Sequence, residues 1–384
     1  MNKTTLLLAA AAAALAVGCS DKTVNRITKT AEAQCILMDS QLADGETPRC
    51  TDADGNLWKT NQKWWCSGFF PGTCWLTYEL GGNEEVKAIA EKQTLRLADP
   101  DKVFSAHDVG FQILCSYGQA YRLTGDEKYL PMIQTAAEFL ANRFSPIAGT
   151  IMSWDSNEGE QRVIIDNMMN LEILTFAAEK FNRPEWKEIA IKHAETTIRN
   201  HFRDDFSTYH VVVYSTVTGE VLRKHTAQGY ADWSSWARGQ AWGLYGYTMM
   251  YRETGRKEFL DQAENIASML KDKLSPDPVP AWDFDAPADS AWAKDASAAA
   301  IMASAHVELG KLTGKEEYIA QARKIVDALS TPEYLAEPGT NAGFLLKHST
   351  GNFMKNSEVD VPLTYADYYY LEALLRLRAL DSSR

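Results

Sequence analysis

The chain repeats one turn three times, as Tyr121-Arg-Leu-Thr-Gly125-Asp-Glu-Lys-Tyr129, Tyr251-Arg-Glu-Thr-Gly255-Arg-Lys-Glu-Phe259 and Lys311-Leu-Thr-Gly314-Lys-Glu-Glu-Tyr318. In each copy a helix ends at a C-capping glycine, and acidic residues follow that suit the first turn of another helix. Tyr78–Gly82 and Lys180–Trp186 occupy equivalent places. The repeats predict a chain of consecutive helical hairpins.

The two helices of each hairpin differ in composition. Segments after the turns place apolar residues at helical spacing between charges, as outer helices do: Glu127–Phe144, Glu185–Phe202, Lys257–Leu274 and Lys315–Leu329. Segments before the turns carry few charges, which predicts buried inner helices: Gly110–Leu123, Asn167–Phe181, Ala237–Tyr251, Ala296–Leu309 and Leu363–Leu380. With an opening helix near Thr23–Gln41, about twelve helices form six pairs. The predicted fold is all-α, an (α/α)6 barrel or six-hairpin toroid, with Val211–Tyr214 and Glu220–Arg223 as one small β-hairpin insertion.

Composition limits the function. The 384 residues are 45% hydrophobic and carry a net charge of −12, which disfavours binding to nucleic acid without a basic patch. Six scattered cysteines suit neither a disulfide scaffold nor a zinc site. Asp52–Asn56 resembles a calcium loop, but its glycine comes too early for an EF-hand, so we interpret it as a surface turn. We therefore expect no metal and no cofactor.

The N-terminus has the layout of an export signal. Lys3 precedes the apolar run Leu6–Val17, and Gly18-Cys19-Ser20 follows, as in a bacterial lipobox. We predict a signal peptide over residues 1–18, a lipidated Cys19 and a single catalytic domain over residues 19–384. An ordinary cleaved signal is the alternative. Either form is exported, and the lipidated one would be a periplasmic or outer-membrane lipoprotein of a Gram-negative bacterium, touching the membrane only through its anchor.

The openings of the inner helices carry the candidate chemistry. All inner helices of such a toroid run the same way, so their N-termini meet at one end. Asp108 and Asp166 precede two of these helices among apolar neighbours. N-capping is one interpretation, but burial beside a like charge would also raise the pKa of a carboxyl and leave it a proton donor. Paired carboxylates indicate sugar chemistry. Six tryptophans near this end are stacking candidates or core residues: Trp64, Trp65, Trp154, Trp233, Trp236 and Trp242.

Four motifs give the chain a family resemblance. They are His107-Asp108-Val-Gly-Phe111, Ile165-Asp166-Asn-Met-Met-Asn-Leu171, Trp236-Ala-Arg238-Gly-Gln-Ala-Trp242-Gly243 and Val361-Pro-Leu-Thr-Tyr365-Ala-Asp367-Tyr-Tyr369. In this order they resemble the unsaturated glucuronyl hydrolases of glycoside hydrolase family 88, from about Trp58 to the C-terminus. The resemblance implies the same (α/α)6 barrel.

The resemblance also implies a reaction, namely hydration of the C4=C5 double bond of a non-reducing-end unsaturated uronic acid left by polysaccharide lyases. Asp166 matches the acid/base residue that protonates C4, and Asp108 matches the second essential aspartate. The positions expected to bind substrate are His107, Trp65, Trp154, His210, Gln228, Arg238 and Trp242. The guanidinium of Arg238 suits the uronate carboxylate. His225 is an alternative to His210 for the histidine that binds substrate, and His107 fits a structural role as well as a substrate contact.

Three other functions stay open from the sequence. One is a family 105 unsaturated rhamnogalacturonyl hydrolase, another is an inverting glycosidase that uses Asp108 and Asp166 separately, and the third is a lipoprotein that binds oligosaccharides without turnover. The family 88 resemblance implies an unsaturated uronyl disaccharide or short oligosaccharide as the substrate, and chondroitin, hyaluronan and heparin all stay open as its source. Ser349 and Lys355, in the segment His348–Ser357, either meet a sulfate or belong to a solvated loop.

Overall fold

A computed structural model describes residues 21–274 and 276–383, so the predicted leader and Cys19 lie outside the described residues. Twelve helical segments of this part of the chain form two concentric rings. The inner ring is built from Phe69–Gly81, Gly110–Gly118 running on as Gln119–Thr124, Asn167–Lys180, Ala237–Thr254, Ala296–Thr313 and Thr364–Ser382. The outer ring is built from Asp21–Ser40, Glu84–Leu95, Leu130–Ala141, Pro184–His201, Lys257–Lys273 and Glu316–Leu329.

Contacts between neighbouring inner helices close the ring. Each inner helix packs on the next in chain order, and Thr364–Ser382 packs back on Phe69–Gly81. Inner helices are buried around their circumference, as in Ala296–Thr313, whereas outer helices such as Lys257–Lys273 bury one stripe. The predicted (α/α)6 barrel is confirmed, and we call the end where the inner helices begin the mouth.

Glycines end the helices at the repeated turns. Gly125, Gly255 and Gly314 adopt left-handed φ values of 68°, 66° and 71°, which a residue with a side chain rarely tolerates. The N–H of each returns to a carbonyl four residues earlier, at Tyr121, Tyr251 and Gly310. The repeated motif is therefore a C-cap followed by a new helix.

The β structure is more extensive than the single hairpin that we expected. The predicted strands form as β6, Val211–Ser215, and β7, Val221–His225, but β5, Glu160–Ile164, pairs with β6 to make a three-stranded antiparallel sheet. Two further hairpins pair β1, Glu46–Thr51, with β2, Leu57–Asn61, and β3, Phe144–Ser145, with β4, Thr150–Ile151. The sequence did not indicate β5 because its five residues, EQRVI, are too few to show a clear alternation of polar and apolar side chains. Short helices cover Pro100–Val103, Glu127–Tyr129, Asn341–Gly343 and Phe353–Lys355.

The second inner helix opens as a π-helix over Gly110–Gly118 instead of as the α-helix that we predicted. The side-chain oxygen of Asn170, on the next inner helix, accepts a hydrogen bond from the backbone N–H of Phe111 at 3.0 Å. A Cβ at Gly110 would lie 2.6 Å from Asn170 Oδ1, so this approach needs glycine. The π-helical hydrogen bonding widens the helix just after Asp108, and π-helical turns are frequent at functional sites.

A network of charged side chains joins four inner helices. Arg252 pairs with Glu172 and, at 2.6 Å, with Glu308, and Arg376 contacts Glu308 and Glu372 at 3.3 and 3.5 Å. These side chains are 12–28% exposed, so each charge needs its partner.

Among the described residues, no helix has the length and apolar character to cross a membrane.

Candidate active site

The two aspartates lie at neighbouring inner-helix openings. Asp108 lies two residues before the π-helix, and Asp166 occupies the N-cap position of Asn167–Lys180. Their side chains are 15% and 12% exposed. Asp166 makes no side-chain capping bond, whereas Asp295, at another opening, accepts from the N–H groups of Ser297 and Ala298. The capping interpretation therefore holds for Asp295 and not for Asp166.

Burial sets the protonation of this pair. It raises the pKa of Asp108 to about 8, together with the charge of Asp166 and against the opposite charge of Arg143. It raises the pKa of Asp166 to about 7, against the charge of Arg238 and the nearby indole of Trp242. The two carboxyls therefore hold protons near neutral pH, as an acid/base site requires.

His107 lies behind Asp108. Its Nε2 is 3.4 Å from Asp108 Oδ1, and the residue has no exposed surface. Burial lowers the pKa of the imidazole to about 3, so the ring is neutral. The substrate contact expected of His107 does not fit this position, since every atom of the residue is covered by protein. Its ring instead lies against the carboxyl of Asp108.

His210 faces Asp166 with a neutral imidazole ring. The backbone N–H of Ala227 donates to His210 Nδ1 at 3.2 Å, and burial lowers the pKa of the ring well below 6.5. A neutral imidazole with an accepting Nδ1 carries its proton on Nε2, which lies 3.8 Å from Asp166 Oδ2. The ring stacks on Trp236, with centroids 4.3 Å apart. The N–H dipole therefore favours the ionised form of Asp166.

Arg238 is committed to protein partners. One terminal nitrogen donates to Asp295 Oδ2 at 2.8 Å and to the carbonyl of Thr350, and the other donates to the carbonyl of Gly351 and, at 3.1 Å, to Gln228 Oε1. The side chain is 2% exposed. The pairing of Arg238 with a uronate carboxylate stays a prediction, and the carboxylate that pairs with Arg238 in this structure is that of Asp295. Its role here is to position Gln228 and the segment that contains Thr350 and Gly351.

Aromatic rings surround the carboxyls. Trp242 is fully buried beside Asp166, and its ring centroid lies 5.1 Å from that of Phe111. Trp65 is partly exposed and lies 4.8 Å from Tyr365 between centroids. Trp154, also partly exposed, stands edge-on to the ring of His210. Of the three predicted tryptophans, Trp65 and Trp154 therefore offer surface to a sugar, and Trp242 acts on Asp166.

The predicted sulfate contacts fall in different environments. Ser349 has no exposed surface, and its backbone pairs with Val361 at 2.9 and 3.0 Å. In this structure Ser349 therefore offers no exposed surface to a sulfate. Lys355 is exposed at the end of the short helix Phe353–Lys355.

Within residues 21–274 and 276–383, no three His, Cys, Asp or Glu side chains cluster as metal ligands, and the five cysteines of that part are free.

Three parts of the site had not been assigned to it from the sequence. Arg143, at the end of an outer helix, acts on Asp108 through its charge. Asp295, just before the inner helix Ala296–Thr313, is the ion-pair partner of Arg238. The amide of Ala227 carried no signal, because any residue supplies a backbone N–H. Only the position of Asp295 before an inner helix could have drawn attention to it.

Comparisons with known proteins agree over most of the chain. The sequence model of Glycosyl Hydrolase Family 88 matches residues 39–373. An unsaturated glucuronyl hydrolase of Formosa agariphila is 42% identical over 327 residues, which cover 84% of this chain and 82% of the relative. The crystal structure of an unsaturated glucuronyl hydrolase specific for heparin superposes with a TM-score of 0.91 at 46% identity, covering 94% of this chain and 99% of that one.

A third protein was solved with a ligand. The unsaturated glucuronyl hydrolase of Streptococcus agalactiae, in a mutant complexed with dGlcA-GalNAc6S, has a TM-score of 0.79 and is 28% identical. The match covers 92% of this chain and 90% of that protein.

Proposed function

The chain belongs to glycoside hydrolase family 88, and we propose that it removes the 4,5-unsaturated uronic acid from the non-reducing end of glycosaminoglycan-type oligosaccharides made by lyases. The observation that carries this proposal is the buried pair Asp108 and Asp166, with both pKa values raised toward neutrality. Membership of family 88 argues against a family 105 enzyme. A buried pair of proton-donating carboxyls argues against a non-catalytic binding protein, which has no use for a proton donor.

Asp166 is the proposed acid and base. Its carboxyl gives a proton to C4 of the enol ether, and the oxocarbenium-like cation at C5 takes up a water whose proton returns to the same carboxylate. The resulting hemiketal at C5 opens the ring and releases the remaining saccharide. A pKa of about 7 suits a group that must give up and recover a proton in every cycle. The N–H of His210 would stabilise the carboxylate between these two steps.

Asp108 is proposed to hold the sugar. Because its pKa is about 8, it stays protonated at neutral pH and can donate a hydrogen bond to a substrate hydroxyl. Trp65 and Trp154 supply partly exposed ring faces for stacking, and Gln228, fixed by Arg238, supplies an amide at the mouth.

The first experiment follows the double bond. The protein should abolish the ultraviolet absorbance of an unsaturated uronyl disaccharide from chondroitin, hyaluronan or heparin. In deuterated, heavy-oxygen water, hydration places deuterium on C4 and the heavy oxygen in the 5-keto group, both located by mass spectrometry. Release of the saccharide with no deuterium on C4 would replace this mechanism by an inverting glycosidase with label on the anomeric carbon. Asp166→Asn is the matched inactive control.

The protein is also proposed to be an exported lipoprotein, with a leader over residues 1–18, Cys19 as the lipid-bearing residue and one catalytic domain over residues 19–384. Support comes from the lipobox-like Leu15–Cys19 and the short apolar run before it. In a Gram-negative host the wild-type chain should sediment with membranes and incorporate labelled palmitate, whereas Cys19→Ala should do neither. Recovery of the unlabelled wild type in the periplasmic fluid would point to an ordinary cleaved signal.

A further inference from the structure

One arginine at the mouth is held by two indoles and one carboxylate. The guanidinium carbon of Arg49 lies 4.3 Å from the ring centroid of Trp58 and 4.1 Å from that of Trp64. Its Nε donates to Glu358 Oε1 at 2.7 Å. Its two terminal nitrogens make no hydrogen bond with the described residues. The guanidinium is therefore fixed in orientation while its outer edge keeps its donors.

A strand irregularity gives Arg49 this position. In the β1–β2 hairpin, Pro48 pairs with Lys59 and Cys50 with Trp58, so Arg49 is the extra residue of a bulge. A bulge turns a side chain away from the regular alternation of its strand. The side chain of Arg49 is 17% exposed, and Trp58 is 44% exposed beside it. The outer edge of the guanidinium is thus open to solvent.

Arg49 lies next to the candidate active site. Glu358, its ion-pair partner, pairs through its backbone with Gly351, whose carbonyl accepts from Arg238. On the other side, Trp64 precedes Trp65. The Arg49 cluster, namely Arg49, Trp58, Trp64 and Glu358, therefore adjoins the mouth through Glu358 on one side and Trp64 on the other.

We propose that Arg49 binds an oxyanion carried by the saccharide on the reducing side of the unsaturated uronate. The oxyanion is either a sulfate ester or the carboxylate of a second uronate, since a guanidinium edge takes two oxygens of either group. Stacking between two rings removes most of the side-chain entropy that such a contact would cost. This inference rests on the proposed function for the identity of the saccharide.

Glu358 sets the strength of this site. Its carboxylate neutralises part of the charge of Arg49 and repels an incoming anion. A saccharide with a neutral reducing-side sugar gains nothing from the cluster, whereas one with a sulfate or carboxylate gains a charge-assisted pair. The cluster therefore selects between substrates rather than adding to the binding of all of them.

Calorimetry in an Asp166→Asn background tests the site without turnover. The three ligands are an unsulfated unsaturated uronyl disaccharide, the same disaccharide with a 6-O-sulfate, and an unsulfated tetrasaccharide with a second uronate. Adding Arg49→Gln should reduce the preference in Kd for an anionic ligand over the unsulfated disaccharide by at least about tenfold. The ligand whose preference falls identifies the source of the oxyanion. Arg49→Lys should keep part of the preference, and Glu358→Gln should increase it.

Controls keep the result independent of folding and of the proposed activity. Arg323→Gln, which removes an arginine paired with Asp381 on the outside of the barrel, should leave all Kd ratios unchanged. Trp58→Ala should lower the preference even if Arg49→Gln fails to fold. Equal Kd ratios in folded Arg49→Gln or Trp58→Ala and in the parent would overturn the inference. Binding of all three ligands without turnover by the wild type would overturn the proposed function instead.

Discussion

Replacing Asp166 by Asn should make the protein more stable and inactive at once. The neutral amide keeps the shape of the protonated carboxyl but has no proton to give. Removing a general acid typically costs two to four orders of magnitude, so turnover should fall at least about a thousandfold. The stability change has the opposite sign, because burial makes ionisation of Asp166 unfavourable in the folded state.

The size of the stability change follows from the pKa of Asp166. The folded value is about 7, raised from 3.8 in an exposed chain. The native state therefore binds this proton more tightly than the unfolded state, and the stability of the wild type falls as pH rises from about 4 until the folded carboxyl ionises near pH 7. Between pH 5 and pH 8 the wild type loses about 2–3 kcal/mol that Asp166→Asn does not lose.

Urea unfolding at both pH values measures this difference. The free energy of unfolding of Asp166→Asn minus that of the wild type should grow by about 2–3 kcal/mol from pH 5 to pH 8. Asp54→Asn, in the exposed turn between β1 and β2, should show no such growth. Asp108→Asn should show a growth of the same sign, because its pKa is also raised.

Two results would refute this reasoning. Near-normal turnover by Asp166→Asn would remove the residue from the acid step. A stability difference that is constant between pH 5 and pH 8 would mean that Asp166 ionises in the folded protein as it does in water, and the proposed proton donor would then be absent at neutral pH.

Three further outcomes follow from the site. The kcat/KM of the wild type should fall about tenfold per pH unit above pH 7, where Asp166 loses its proton, and a flat steady-state profile to pH 9 would contradict this. In Asp166→Asn, carbon NMR should show the pKa of Asp108 below about 8, since one cause of its rise is gone; an unchanged value would deny the coupling. Arg238→Lys should cost about 3 kcal/mol of stability by urea unfolding, because lysine cannot reproduce four hydrogen bonds to fixed acceptors, whereas Arg323→Lys should cost under about 0.5.

The sequence predicted the barrel because its signals are local and repeated. Each C-capping glycine needs only its own turn, and the contrast between inner and outer helices comes from composition over a dozen residues. β5 and the π-helix escaped prediction for the opposite reason. The first depends on pairing with β6, some fifty residues later, and the second on the side chain of Asn170 in another helix. Such long-range partners leave no pattern in the segment itself.

The site was predictable in its residue types and less so in its contacts. Asp108 and Asp166 stand out because a carboxylate among apolar neighbours is costly, and the family motifs name the same positions. The sequence could not tell that the donors of Arg238 are taken by Asp295 and two carbonyls, because those acceptors lie 57 to 113 residues away along the chain. The prediction that Arg238 binds the uronate carboxylate rested on the shape of its guanidinium alone and did not include the acceptors around it.

Asp166 and Asp295 show how the fold separates a chemical carboxylate from a structural one. Both occupy the N-cap position of an inner helix. Asp295 accepts from two backbone N–H groups and the hydroxyl of Ser297 while it pairs with Arg238, so its charge is fully compensated. Asp166 accepts no cap bond, and its charge would be compensated only by the charge of Arg238, the nearby indole of Trp242 and the N–H of His210 at 3.8 Å, too long for a full hydrogen bond. The missing compensation keeps its pKa near neutrality, so the same residue type at the same helix position stabilises the fold in one place and supplies a proton in the other.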